Sequence, residues 1–224
     1  MNNLNDTVIF IGTLIIFISL IFSLFIHKRK YFNNYLIGFF FCPLIALMIS
    51  VNTISLTIFI KDQKILNYSI QNILLLLDLI FWRIFFLNLF KENIDFRRVN
   101  GVFIVTLILA FISYLFNDLS NPNLHTLSIF NICKTIFCIY YFYKLFKNIP
   151  NKNIKLEPAF WIITGLLFYS VLSIPFYTLH SFIRSRFSDI FARNIFAISN
   201  ILIIVMHIFF IKAYLCIIQQ PKAS

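Results

Sequence analysis

Residues 7–30 read TVIFIGTLIIFISLIFSLFIHKRK, an uncharged stretch of 20 mostly apolar residues that ends at a basic cluster. About 20 residues at ~1.5 Å rise per residue cross the ~30 Å hydrocarbon core of a bilayer, so the stretch predicts a transmembrane helix. A secretory signal peptide would instead carry its positive charges before a shorter apolar stretch and would end in small residues. We therefore expect a retained membrane anchor with its short N-terminal tail outside.

The composition extends this interpretation to the whole chain. Of 224 residues, 60% are hydrophobic and only 12% are charged, which is more apolar side chain than a soluble core of this size can bury. The predicted fold class is all-α: a polytopic integral membrane bundle of seven transmembrane helices in a single membrane domain, with no soluble domain. The predicted spans are about 7–26, 35–59, 70–90, 102–116, 126–146, 159–182 and 194–218.

The distribution of Lys and Arg predicts the orientation, because cytoplasmic loops retain positive charge. With the N-terminus outside and the C-terminus in the cytoplasm, the inner segments hold eleven basic residues: Lys28, Arg29, Lys30, Lys91, Arg97, Arg98, Lys144, Lys147, Lys152, Lys155 and Lys222. The outer segments hold five: Lys61, Lys64, Arg184, Arg186 and Arg193. The loop 183–193 is the one place that runs against this rule. The expected location is a bacterial inner (cytoplasmic) membrane.

The net charge of +11 does not predict a nucleic-acid partner. The basic residues are spread along the inner ends of the spans, where they suit anionic lipid headgroups, and the bilayer is thus the expected partner. The four cysteines lie inside spans without paired spacing, so neither a disulfide framework nor a zinc site is predicted. No cofactor is expected, and the oligomeric state is left open.

Three ionisable side chains lie deep inside predicted spans, where each costs roughly 2.5–3.5 kcal/mol on insertion scales: Asp78, Arg83 and Lys134. Counted from the outer surface at ~1.5 Å per residue, Asp78 and Lys134 share a depth of ~13 Å. We therefore expect an Asp78–Lys134 ion pair aided by Asn131, as a structural tie or as a ligand or proton site. Arg83 points ~140° away from Asp78 on the same helix, so it should contact another helix or reach the inner headgroups.

Histidine spacing predicts that the chain is not an enzyme. None of the four histidines lies within four residues of another or of a carboxylate on the same helix, so neither a metal cluster nor a nucleophile–base pair is visible. His125 and His180, at the outer ends of their spans, are candidates for a metal-binding or pH-sensing surface site, or are simply interfacial.

Lys212 raises one minor alternative. A lysine in the last span opposite Asp78 is similar to the retinal site of the rhodopsins, which would make the protein a retinal-type photoreceptor. Lys212 lies near the cytoplasmic end of its span, however, where a lysine can extend to the headgroups.

The motif with the most specific spacing begins the span 159–182. Leu156-Glu157-Pro158-Ala159-Phe160-Trp161 is followed by Gly165 and Tyr169, and the last span ends in Lys212-Ala213-Tyr214-Leu215-Cys216. This pattern resembles a family of bacterial seven-helix membrane proteins that look like the membrane sensor modules of histidine kinases. In physical terms, Pro158 suits the first turn of a helix, Trp161 suits the inner headgroup belt and Gly165 permits close helix approach.

The resemblance implies a membrane-embedded sensor that transmits a signal to a separate cytoplasmic signalling protein. The alternative from the residues is a small transporter or channel that uses the Asp78, Asn131 and Lys134 region as its polar path. A structural membrane subunit is a further alternative.

Overall fold

The computed structural model describes residues 4–27, 64–90, 93–116, 124–147, 154–187 and 189–219. All regular structure in these ranges is helical. The helices are α1 (Leu4–His27), α2 (Lys64–Leu89), α3 (Asn93–Phe116), α4 (Leu124–Lys147), α5 (Pro158–Thr178), α6 (His180–Arg186) and α7 (Asp189–Gln219), with a 3₁₀ turn at Ile154–Leu156. The predicted span 35–59 lies outside the described residues.

All of these helices except the short α6 are long and apolar enough to cross a membrane. Their outer faces carry large apolar side chains that remain exposed, such as Phe10 on α1, Phe111 on α3 and Ile139 on α4. Water would penalise such continuous apolar surfaces, whereas lipid chains do not. The chain is therefore described as an integral membrane helical protein.

Helix α3 differs from its prediction. The sequence predicted a span of 102–116, but the helix begins at Asn93, nine residues earlier. The charged residues Asp95, Arg97 and Arg98 were interpreted as loop, whereas they form the first two turns of the helix. A carboxylate is favourable there because it interacts with the positive end of the helix dipole, and Asp95 also has a lysine partner.

The predicted span 159–182 and loop 183–193 also change. Helix α5 ends at Thr178, where the backbone N–H of Leu179 bonds to the carbonyl of Pro175. The chain then forms α6 and resumes as α7 at Asp189, so that most of the predicted loop is helical. Pro175 lies in the last turn of α5 and lacks the backbone N–H that would bond to the carbonyl of Val171, so the helix is weakened just before its end.

Apart from the short α6, the helices from α2 onward alternate in direction. Helix α7 packs between α1 and α5, α5 packs on α4, and α4 contacts both α3 and α2. Cross-helix contacts at 78–134, 86–137 and 90–140 make α2 and α4 parallel, whereas contacts at 155–216, 161–212 and 165–206 make α5 and α7 antiparallel. The ends of α2, α4 and α7 and the starts of α3 and α5 thus share one side of the bundle, here called the Asp95 end.

Aromatic rings fill the centre. Phe86 and Phe210 are fully buried, and both contact Trp82 with ring centroids 6.2 Å apart. Gly165 lies where α5 approaches α7: a Cβ there would meet Phe209 Cβ at 2.7 Å and the carbonyl oxygen of Met206 at 3.2 Å. This is the close helix approach predicted for Gly165.

Candidate functional site

Asp78 and Lys134 form an ion pair between α2 and α4. Lys134 Nζ lies 2.5 Å from Asp78 Oδ2, and the indole Nε1 of Trp82 donates to Asp78 Oδ1 at 3.0 Å. The two side chains are 5% and 17% exposed for Lys134 and Asp78, respectively. The structure thus confirms the pairing that the matched depths predicted, and it adds Trp82, one turn from Asp78, as a third member.

Asn131 does not join this pair, contrary to the prediction. Its Nδ2 donates to Ser173 Oγ on α5 at 2.9 Å. Asn131 precedes Lys134 by three residues, which rotates it ~60° around α4 and directs it toward α5 instead of α2. Its Oδ1 is buried and has no hydrogen-bond partner among the described residues.

Hydroxyl groups extend this contact along the α4–α5 interface. Thr135 Oγ1 lies 3.0 Å from Ser170 Oγ, and Thr178 Oγ1 donates to Ser128 Oγ at 3.3 Å. The hydroxyls of Tyr169 and Tyr177 are 3.3 Å apart. We call the set Asp78, Lys134, Asn131, Ser173, Thr135, Ser170, Ser128, Thr178, Tyr169 and Tyr177 the polar column.

Sequence analysis found only part of the polar column. Ser170, Ser173 and Tyr177 recur at positions i, i+3 and i+7, which places their polar groups on one face of α5. That spacing was the available signal. It was missed because single hydroxyl residues are common in membrane helices and carry no charge that demands explanation.

Arg83 serves a different contact, as its position around α2 predicted. Its Nε and Nη2 donate to Asn100 Oδ1 on α3 at 3.0 and 2.8 Å, and the guanidinium lies 5.0 Å above the ring of Phe103. Of the two predicted alternatives, the structure shows the contact with another helix. Arg83 thus joins α2 to α3, and Asp78 joins α2 to α4.

A second charged cluster lies at the Asp95 end and was not predicted. Asp95 is 1% exposed, pairs with Lys144 and accepts a hydrogen bond from Tyr140 at 2.5 Å. Arg98 Nη1 donates to the same Tyr140 hydroxyl at 2.8 Å. Asp95 lies between the predicted spans 70–90 and 102–116, so it was not matched with a helix residue.

The motif at the start of α5 contacts the 3₁₀ turn that precedes this helix. Pro158 lies in the first helical turn, and Trp161 Nε1 donates to the carbonyl of Lys155 at 2.8 Å. Cys216 Sγ on α7 approaches the same carbonyl at 3.6 Å. Trp161 also stacks on Phe209, with ring centroids 6.0 Å apart. The motif residues thus hold α5, α7 and the 3₁₀ turn together at this end.

Lys212 and the two predicted surface histidines are not members of the polar column. Lys212 Nζ sits 5.9 Å above the ring of Trp161, and Asp78 is paired with Lys134. His125 is exposed in the first turn of α4, whereas for His180 only the backbone is described. Within the described ranges, no group of three or more His, Cys, Asp or Glu side chains could hold a metal ion.

Comparison with protein-family models, with curated proteins and with solved structures finds no match for this chain. The resemblance to sensor modules therefore stays a prediction from the motif residues.

Proposed function

We propose that the protein is a membrane-embedded signalling module of a bacterial inner membrane, acting through a separate cytoplasmic protein. In this proposal it has seven transmembrane helices, with residues 35–59 supplying the seventh, an outer N-terminus and a cytoplasmic C-terminus. The bundle detects a signal at the membrane or outside, and the Asp95 end presents the changed surface to its partner.

Charge supports this orientation. Several basic residues of the described helices and turns lie at the Asp95 end: Arg97, Arg98, Lys144, Lys147, Lys155 and Lys212. Positive residues accumulate on the cytoplasmic side of membrane proteins, so this end is assigned to the cytoplasm. The exposed Lys147 and Lys155 then suit contact with an acidic surface of a partner.

The observation that carries the proposal is that the polar column is closed. Lys134, Asn131, Ser170 and Ser173 are all buried, and within the described ranges their polar groups pair across helices. Interhelical polar contacts of this kind have discrete alternatives, so a small shift of one helix exchanges one set for another. A column of such contacts favours a conformational switch over a transport pathway.

A transporter or channel is the second candidate, and the intramembrane ion pair favours it. Ionisable residues at this depth often mark ion or proton pathways. In that case, the closed column would be one state of an alternating cycle. In another state, Asp78 and Lys134 would separate and bind the transported ion in place of each other.

Site-specific photo-crosslinking in the native membrane tests the proposal. A photoreactive residue at Lys147, which is exposed at the Asp95 end, should capture a kinase, regulator or cyclase. The matched control places the same residue at Arg186, exposed at the opposite end of the bundle, and should not capture that protein.

The purified protein alone in liposomes should then give no solute or proton flux. Flux that disappears with Lys134→Met, together with capture of nothing but the chain itself from position 147, would contradict the signalling role and establish transport.

A further inference from the structure

A groove of about 520 Å³ lies between α3 and α4, on the surface of the described helices. Its walls are aliphatic, including Val105 and Leu109 on α3 and Ile132 and Ile136 on α4, and these four side chains are exposed. Thr106 and Cys133 form its buried floor. A groove with such walls inside an apolar span faces lipid chains.

Among the described residues that line this groove, only Arg98 is charged, and it lies at one end. Its guanidinium is held in place, because Nη1 donates to the Tyr140 hydroxyl and the group lies 5.7 Å from the centre of the Tyr140 ring. Tyr140 is in turn fixed by Asp95. A guanidinium has five N–H donors, and one of them bonds to Tyr140. The other donors make no hydrogen bond with described residues, so they remain able to bind a phosphate.

The length of the groove matches one leaflet. From Arg98 to Leu109 is eleven residues, or ~16 Å at ~1.5 Å per residue, which is about half of a ~30 Å hydrocarbon core. A lipid with its phosphate at Arg98 would therefore place one acyl chain along the groove, with its end near the bilayer midplane.

Gly101 widens the groove one turn below Arg98. A Cβ built on Gly101 meets nothing within 4 Å, in contrast to Gly165 in the helix interface. The space beside Gly101 is therefore part of the groove, and a larger side chain there would fill it without disturbing the packing of α3.

We propose that this groove is a binding site for one anionic glycerophospholipid, whose phosphate is held by Arg98 and whose acyl chain lies between α3 and α4. This requires only that the helices span a bilayer, so it holds whether the protein signals or transports. The phosphate of the lipid would join the Arg98–Tyr140–Asp95–Lys144 network. The network would then connect α3 and α4 with a charged lipid headgroup at the Asp95 end.

Native mass spectrometry of the full-length protein in detergent tests the site. Phosphatidylglycerol and phosphatidylcholine with identical acyl chains are titrated in parallel. The native protein should bind one phosphatidylglycerol more tightly than phosphatidylcholine. Arg98→Gln should weaken phosphatidylglycerol binding by about fivefold or more, whereas Arg98→Lys should restore part of it.

Two variants separate this site from general charge attraction. Arg97→Gln removes the neighbouring exposed charge, which does not line the groove, and should leave the preference unchanged. Gly101→Leu should weaken the binding of both lipids while the thermal unfolding temperature stays within a few degrees of the native value. Three results would each overturn the proposal. The native protein could bind the two lipids equally, Arg97→Gln and Arg98→Gln could have equal effects, or Gly101→Leu could bind lipid as well as the native protein.

Discussion

Neutralising either member of the Asp78–Lys134 pair should destabilise the bundle more than neutralising both. Lys134→Met leaves the Asp78 carboxylate without its counter-ion, and Asp78→Asn leaves the ammonium unpaired at a site where the two side chains are only 17% and 5% exposed. Removing one partner from a buried ion pair costs about 3–5 kcal/mol, because the remaining charge stays desolvated. The double variant removes both charges, and we expect it to be more stable than either single variant by about 1–3 kcal/mol.

The free energy of unfolding can be measured by titrating SDS into mixed micelles while helicity is followed by circular dichroism. Lys147→Met is the matched control, because it removes an exposed lysine at the end of α4, and it should change stability by less than about 0.5 kcal/mol. If Lys134→Met costs no more than this control, or if the double variant loses the sum of the two single effects, the ion pair does not stabilise the fold.

Three further predictions follow from the packing and the charges. Gly165→Ala should destabilise the protein by about 1–3 kcal/mol in the same titration, since its Cβ has no room, whereas Gly101→Ala should be neutral or slightly stabilising. Asp95→Asn should lower the unfolding temperature, because Lys144 loses its carboxylate partner in the first turns of α3; a temperature equal to the native value would show that the cluster does not stabilise this end. Alkaline phosphatase fused at His125 should be active, since the proposed orientation places this residue outside the membrane, and an inactive fusion would reverse that orientation.

The placement of deep charges could be predicted from sequence because the penalty for burying them is large. Only Asp78 and Lys134 combine opposite charge with equal depth, and a fixed rise per residue is enough to calculate that depth. The exclusion of Arg83 from the pair followed in the same way from its angle around α2. Its partner Asn100 could not be predicted, because the position of α3 relative to α2 depends on tertiary packing.

The failures share a physical cause. Asn131 was assigned to Lys134 by proximity along the helix, although ~60° of rotation is enough to direct it to another neighbour. Asp95 fell outside the predicted span 102–116, whereas a paired carboxylate is compatible with the first turns of a helix. Local sequence reports charge and depth, but it does not report which helix lies opposite a given face.

Helix α4 connects the two charged clusters, and this connection is a second argument for the proposed signalling role. Lys134 bonds to α2 and Lys144 bonds to α3, ten residues or ~15 Å apart along one helix, while Asn131, three residues before Lys134, bonds to α5. A shift of α4 by one helical turn, ~5.4 Å, cannot keep both ion pairs, because α2 and α3 approach it at different levels. Packed helices with such ties have discrete arrangements instead of a continuous range. A signal that alters the Asp78–Lys134 pair is therefore expected to alter the Asp95 cluster as well, at the end where the proposed partner and the anionic lipid would bind.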